Sequence, residues 1–159
     1  DYGLSKDIGI SRKEAKDYID NYLNRYEKVK EYMDNSISFA KQNGYVTTIL
    51  NRRRYIPEIK SSNFNVRSFG ERLAMNTPIQ GSAADIIKVA MIKVYYELKK
   101  RELKSKLILQ VHDELIIEVH KDEVEEVKAI VKYIMESAVE LDVPLEVDIN
   151  IGESWFEAK

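Results

Sequence analysis

The segment from Leu107 to Val119 constrains the fold more than any other part of this sequence. Two strongly apolar, β-favouring runs flank three polar residues, His112, Asp113 and Glu114. This pattern is typical of a buried β-hairpin with a short polar turn. It therefore predicts a rigid hairpin whose tip carries an imidazole and two adjacent carboxylates.

Adjacent carboxylates at the end of a hairpin are oxygen ligands suited to a hard cation. Mg²⁺ favours one or two carboxylates completed by water and substrate phosphate, and two such ions about 4 Å apart can serve one displacement at phosphorus. A pair of ions needs more carboxylates than this tip supplies. The same residues also suit an ordinary polar turn in which Asp113 bonds to its own backbone, so the motif alone leaves both interpretations open.

The composition excludes several kinds of site. The 159 residues contain no Cys and only two His, which rules out disulfides, thiolate nucleophiles and Cys- or His-rich metal sites. No apolar run approaches the roughly 18 residues that a membrane span needs, and the first residues provide neither a basic leader nor an initiating Met. We therefore expect a soluble cytoplasmic chain that does not bind membranes and that belongs to something longer.

The net charge of −2 conceals an uneven distribution along the chain. The net charge is −1 for residues 1–40, +5 for 41–72, +4 for 73–112 and −10 for 113–159. The +5 block contains the run Arg52-Arg53-Arg54, and compact arginine clusters commonly bind phosphates. A solvated turn could have the same composition, so the run by itself does not decide between them.

Helical signals dominate the first 44 residues. Ser11 and Glu14 have the spacing of a capping box, and apolar residues at helical spacing then predict one helix from about Ser11 to Gln42, ending at Gly44. Its tyrosine-rich stripe suits either core packing or stacking against bases. The members of the stripe are Tyr18, Tyr22, Leu23, Tyr26, Val29 and Met33.

The remaining residues alternate between strand and helix signals. We predict a hairpin from Tyr45 to Ile56 turning at Asn51-Arg52-Arg53, helices over 63–75 and 81–103 separated by Pro78, a helix over 122–140 and a strand over 145–151. This order predicts an α+β fold, in which helices pack on one face of an antiparallel sheet and a long helical arm precedes them.

Four segments of the chain resemble the family A DNA polymerases of the bacterial type, in that family's order and approximate spacing. The segments are Gly44 to Pro57, Glu71 to Asp85, the motif C hexapeptide Gln110 to Leu115, and Pro144 to Trp155. The resemblance covers essentially the whole chain. It implies a partial polymerase domain, in which residues 1–44 come from the rear of the fingers and residues 45–159 form the C-terminal part of the palm.

The resemblance also implies roles for individual side chains. Asp113 matches the motif C aspartate that binds the catalytic metals, and Glu114 matches a supporting neighbour. Gln80 falls where the family reads the minor groove of the new base pair, whose acceptors are common to all correct pairs. The residues with implied DNA contacts are Arg52, Arg53, Arg54, Arg72, Asn76, Gln80 and His112.

Two parts of the family's catalytic apparatus are absent from these 159 residues: motif A, with the other metal-binding aspartate, and the fingers helix that binds the incoming nucleotide. The resemblance thus implies a fragment of a DNA-directed DNA polymerase of replication or repair, associated with the nucleoid. Its partners would be primer-template DNA, deoxynucleoside triphosphates and two Mg²⁺ ions. We expect the fragment alone to be inactive and not to hold both ions stably.

Two alternative functions are also compatible with the sequence. The arginine-rich middle could make the chain a non-catalytic module that binds duplex DNA, whose affinity would fall steeply with salt. Apolar surface that the missing segments would cover could instead drive self-association.

Overall fold

The computed structural model describes residues 1–158 and confirms an α+β chain with two small antiparallel sheets. These residues divide into two compact units, Asp1–Ile79 and the residues from Gln80 onward. Among the residues described, no helix combines the length and apolar character that a membrane crossing requires. The helices are α1 (Tyr2–Asp7), α2 (Arg12–Arg25), α3 (Glu27–Asn43), α4 (Phe64–Lys100) and α5 (Val124–Glu136). The strands are β1 (Tyr45–Thr47), β2 (Arg53–Tyr55), β3 (Lys106–Val111) and β4 (Glu114–Glu118), and 3₁₀ turns span Pro57–Lys60 and Lys121–Glu123.

The capping box at the start of α2 is present as predicted. Ser11 Oγ accepts a hydrogen bond from Glu14 N at 3.2 Å, and the Glu14 carboxylate accepts one from Ser11 N at 3.0 Å. The helix does not continue to Gln42, however, because Tyr26 leaves the helical region with φ −115° and ψ 64° and separates α2 from α3. The apolar periodicity continues across this break, so the pattern could not reveal it.

The tyrosines of the stripe on α2 and at the α2–α3 break lie at the surface. Tyr18, Tyr22 and Tyr26 are 61%, 55% and 52% exposed, and the Tyr22 and Tyr26 rings lie 4.9 Å apart. Within residues 1–158, these three tyrosines are therefore not packed in a core, whereas Leu23 and Met33 of the same stripe are half-buried. Stacking against bases stays a prediction.

The core of the first unit lies behind the β1–β2 hairpin. Helix α3 ends at Gly44 as predicted, with φ +77° and its N–H bonded to the Ala40 carbonyl at 2.8 Å. The chain then enters β1, which pairs antiparallel with β2. The residues buried between α3, the hairpin, the first 3₁₀ turn and α4 are Ala40, Val46, Ile56, Ile59 and Ala74. This packing leaves the other face of the hairpin open to solvent.

Helix α4 is a single element of 37 residues that contains Pro78, where the sequence predicts two helices. Proline inside a helix removes one N–H donor and typically costs about 3 kcal/mol. Ala74 and Thr77, on the preceding turn, are 0% and 8% exposed. We attribute the continuity of α4 to this tertiary packing, which outweighs the local preference for a break.

The hairpin β3–β4 is confirmed, but it is not buried on both sides. Its strands are in antiparallel register from Lys106 opposite Glu118 to Val111 opposite Glu114, with Ile108 as an extra residue in β3. The β4 side packs on a core that α4 and α5 share, formed by Val94, Leu98, Val127, Ile130, Val131 and Ile134. On β3, Ile108 and Leu109 are 57% and 45% exposed. Self-association through such apolar surface stays a prediction.

The last two predicted elements are shorter or absent. Helix α5 ends at Glu136, four residues before the predicted end, and the segment predicted as a strand over 145–151 belongs to no sheet in the described part of the chain. Residues 145–150 do alternate between half-buried and exposed, as in a strand. A strand also requires a hydrogen-bonded neighbour, which the described residues do not supply.

Candidate functional site

The β3–β4 hairpin is closed by a two-residue loop, His112 and Asp113, because Val111 pairs directly with Glu114. His112 has φ +51°, whereas Asp113 is not among the residues with positive φ. Positive φ at only the first loop residue is the sign pattern of a type II′ turn, a position where glycine is usual. The tip thus holds a histidine in a strained conformation, a feature that is common at functional sites.

The side chain of Gln110 ties this loop back onto β3. Gln110 lies opposite Leu115 in the hairpin, and its Nε2 donates a 2.6 Å hydrogen bond to the carbonyl oxygen of His112. We assigned no role to Gln110 from the sequence. The available signal was a polar residue in an otherwise apolar strand, two positions before the turn.

The two carboxylates at the tip are accessible. Asp113 is exposed in the loop, and Glu114 is exposed as the first residue of β4. Their oxygens are the ligand type that Mg²⁺ prefers, but a two-ion site needs further carboxylates. No cluster of three or more His, Asp or Glu that could hold a metal occurs within residues 1–158. The tip therefore fits one part of a magnesium site rather than a complete one.

The base of the same hairpin is fixed by a carboxylate that lies outside the predicted site. Glu123 accepts hydrogen bonds from Ser105 Oγ at 2.6 Å, Ser105 N at 2.9 Å and Lys104 N at 3.0 Å. These bonds, that of the Ser105 side chain first, hold the pKa of Glu123 below its ordinary value. Ser105 Oγ in turn accepts from His120 N at 3.0 Å, so the residues before β3 and after β4 are joined.

Helix α4 carries three of the side chains for which the resemblance implies DNA contacts. Arg72, Asn76 and Gln80 are all exposed and recur every four residues, the spacing of neighbouring turns on one helix face. Arg72 donates to Ser68 Oγ at 3.3 Å, and its guanidinium lies 5.7 Å from the centre of the Phe69 ring. Arg72 and Asn76 belong to the first unit and Gln80 to the second.

The three consecutive arginines are exposed but differently placed. Arg52 is the last residue of the β1–β2 loop, where its carbonyl accepts from Thr48 N at 3.0 Å. Arg53 and Arg54 lie in β2 rather than in the turn, opposite Thr47 and Val46 respectively. Because successive strand residues point to opposite faces, the run is divided between a loop and the two sides of a strand.

One of these arginines lies against an aromatic side chain. The Arg53 guanidinium carbon lies 4.8 Å from the centre of the Tyr45 ring, and the centre of the Tyr55 ring lies 5.7 Å from that of Tyr45. We did not identify the two tyrosines as functional from the sequence. Two features of the sequence could have indicated them. Arg53 and Tyr55 are two residues apart, as side chains on one face of a strand are, and Tyr45 begins the other strand of the predicted hairpin.

Comparison with known proteins identifies the group to which the chain is related. DNA polymerase I from Caldicellulosiruptor bescii and from Bacillus subtilis are each 60% identical to it over 159 residues, which are 100% of this chain and 19% and 18% of theirs. The structure of the POL domain of Pol1 from M. smegmatis, in complex with DNA primer-template and dNTP, matches with a TM-score of 0.95 and 48% identity. That match covers 99% of this chain and 28% of the other.

The chain thus spans less than a fifth of the length of these two curated relatives. The family model described as DNA polymerase family A matches residues 1–157, essentially the full sequence. The resemblance seen in the motifs is therefore confirmed, and the chain belongs to DNA polymerase family A.

Proposed function

We propose that this chain is the part of a DNA-directed DNA polymerase that presents the motif C carboxylate and holds the primer-template duplex. The observation that carries the proposal is the accessible tip of the β3–β4 hairpin, where Asp113 follows the strained His112. The anchored base and the packed β4 side make the hairpin a rigid support, as a catalytic group requires. Family membership supplies the type of reaction.

The proposed reaction of the complete protein is template-directed nucleotidyl transfer. The primer 3′-oxygen forms a bond to the α-phosphorus of a deoxynucleoside triphosphate, the bond from that phosphorus to the bridging oxygen breaks, and pyrophosphate leaves. Mg²⁺, when bound, would neutralise charge on the phosphates. Asp113 would contribute one carboxylate to the site and Glu114 would support it, while His112 would contact the primer end.

The exposed cationic and amide side chains of the chain would hold the duplex. Arginine suits phosphate because its planar guanidinium can donate two parallel hydrogen bonds. Gln80 has amide donors for the minor-groove acceptors that all correct base pairs share. The proposed contacts are Arg52, Arg53, Arg54 and Arg72 to phosphates, and Asn76 and Gln80 near the new base pair.

We infer that the isolated 159-residue chain does not polymerise DNA, because two Mg²⁺ ions need more carboxylates than Asp113 and Glu114 at the hairpin tip supply. The test uses the complete polymerase with Asp113→Asn, and Asp122→Asn as a control at an exposed aspartate. We expect Asp113→Asn to lower kcat at least about a hundredfold with little change in duplex affinity. A nearly normal rate in Asp113→Asn, or Asp113-dependent primer extension by the isolated chain, would contradict the proposal.

A second function suits the isolated chain, namely non-catalytic binding of duplex DNA, which would also place it at the nucleoid. The net charge of +5 on residues 41–72 and the exposure of the arginine run favour it. The logarithm of the binding constant should then fall linearly with the logarithm of salt concentration, with a slope of about −0.9 per phosphate contacted. Binding that is undetectable or independent of salt would exclude it.

A further inference from the structure

The β1–β2 hairpin has an outer face that is both aromatic and cationic. Tyr45 lies directly opposite Tyr55, and Thr47 lies opposite Arg53. These four side chains share one face because alternate residues of a strand point the same way. Val46, on the other face, is 2% exposed and belongs to the core. The Tyr45 and Tyr55 face is therefore the one directed away from the core.

Aromatic contacts hold the rings of this face in place. The Tyr45 ring meets that of Tyr55 at an interplanar angle of 64° and that of Phe39 at 84°, with ring centres 5.7 Å apart in both pairs. The Arg53 guanidinium also lies over Tyr45. Tyr55 is nevertheless 68% exposed. A ring that is already oriented and still accessible can receive a flat ligand with little loss of conformational entropy.

The charge around this face favours an anionic ligand. Arg53 lies on this face, and its guanidinium lies over the Tyr45 ring. The 41–72 block contains two acidic residues, and one of them, Glu71, is already paired with Lys41 at 2.7 Å. A ligand that combines flat rings with a repeated negative charge fits both properties of the face.

We propose that the β1–β2 hairpin binds single-stranded DNA, with one unpaired base stacked on Tyr55 and an adjoining phosphate on Arg53. Stacking platforms beside basic side chains are the general means of holding a single strand without regard to sequence. A duplex suits the face less well, because its bases are already stacked on one another. The inference rests on the proposed function, since an unpaired template strand is the single strand that a polymerase must hold.

The test measures binding of the 159-residue chain to three labelled ligands: a dT oligonucleotide of about 12 residues, an abasic strand of equal length, and a blunt duplex. Tyr55→Leu should weaken dT binding by about five- to fiftyfold and leave abasic binding unchanged. Tyr55→Phe, which keeps the ring, should bind dT normally. Tyr133→Leu is the matched control, because Tyr133 is 74% exposed on α5.

Arg53→Gln tests the phosphate contact separately. It should weaken dT and abasic binding equally and reduce the salt slope for single strands by about 0.7. Equal affinity of the unsubstituted chain for dT and abasic strands, or no effect of Tyr55→Leu on dT binding, would overturn the inference. If duplex binding persists in that case, the proposed function stands. If the unsubstituted chain binds none of the three ligands, both the inference and the proposed function are overturned.

Discussion

The side-chain amide of Gln110 is hydrogen-bonded at 2.6 Å to the carbonyl oxygen of His112, the one residue of the β3–β4 hairpin that has a positive φ. A non-glycine residue in the left-handed region costs about 1–2 kcal/mol. A hydrogen bond contributes about 1 kcal/mol net. The two quantities are of similar size, so Gln110 offsets much of the strain that His112 introduces at the tip beside Asp113.

Replacing His112 by glycine separates the strain from the function of the ring. Glycine adopts positive φ without steric cost, so the free energy of unfolding of His112→Gly should stay the same or rise by up to about 1 kcal/mol. Primer extension by the complete polymerase should nevertheless fall, because the variant lacks the imidazole that we propose contacts the primer end. Urea denaturation and extension rates measure the two effects.

The matched control for the strain is Asp113→Gly, at the neighbouring loop residue whose φ is not positive. Glycine there only adds freedom to the unfolded chain and should lower stability by about 0.5–1 kcal/mol. An equal loss of stability in both glycine variants would show that His112 is not strained.

The hydrogen bond from Gln110 can be tested by removing its donor. Gln110→Leu should lower the free energy of unfolding by about 1 kcal/mol and speed amide exchange at the hairpin tip. Gln110→Glu should be worse near pH 7, because a carboxylate cannot donate to the His112 carbonyl. Relative to Gln110→Leu at the same pH, the Glu variant should recover below about pH 4, where its carboxyl is protonated. A Glu variant that behaves like the Leu variant at every pH would argue against the bond.

Glu123 gives the hairpin base a predictable dependence on pH. Hydrogen bonds from Ser105 and Lys104 lower the pKa of Glu123 in the folded chain, so its stabilising effect is complete above the ordinary carboxyl range and is lost as the pH falls through the lowered pKa. Glu123→Gln should therefore be less stable than the unsubstituted chain at pH 7. This difference should narrow below about pH 4.5 in urea denaturation series.

Ser105→Ala provides the control for that assignment. It removes the hydroxyl that is the largest cause of the lowered pKa of Glu123. The acid-induced loss of stability should then be smaller and should be complete at a higher pH than in the unsubstituted chain. An unchanged profile would mean that another group controls the acid transition of the hairpin base.

Features set by a few neighbouring residues were predictable from the sequence. Ser11 with Glu14 capped α2, Gly44 ended α3, and the polar residues after Val111 closed the hairpin, because capping, left-handed termination and tight turns depend on local backbone chemistry. Features that depend on packing between distant residues could not be predicted from the sequence. Pro78 stays inside a helix beside the buried residues Ala74 and Thr77, and within residues 1–158 the 145–151 segment has no partner strand.

Some residues of the candidate site could likewise be predicted from the sequence, and others could not. The polar loop identified Asp113 and Glu114, and the resemblance singled out Arg72, Asn76 and Gln80 at helical spacing. The hydrogen bond of Gln110 and the ring contacts of Arg53 needed coordinates, because each joins residues across a turn or between strands. The sequence could not assign the arginine run residue by residue for the same reason, since the faces of β2 depend on its register.

The row on α4 makes a prediction that separates reading of the minor groove from binding of phosphate. Gln80→Ala in the complete polymerase should slow extension from a correctly paired primer end by about tenfold, since one neutral hydrogen bond is lost. It should leave duplex affinity and its salt slope nearly unchanged. Arg72→Ala should weaken duplex binding and reduce the slope by about 0.9, because it removes one phosphate contact. Gln42→Ala, at an exposed glutamine on α3, is the control and should alter neither quantity.

Equal losses of extension and affinity in Gln80→Ala would mean that Gln80 merely binds the duplex. An unchanged salt slope in Arg72→Ala would mean that Arg72 does not contact a phosphate.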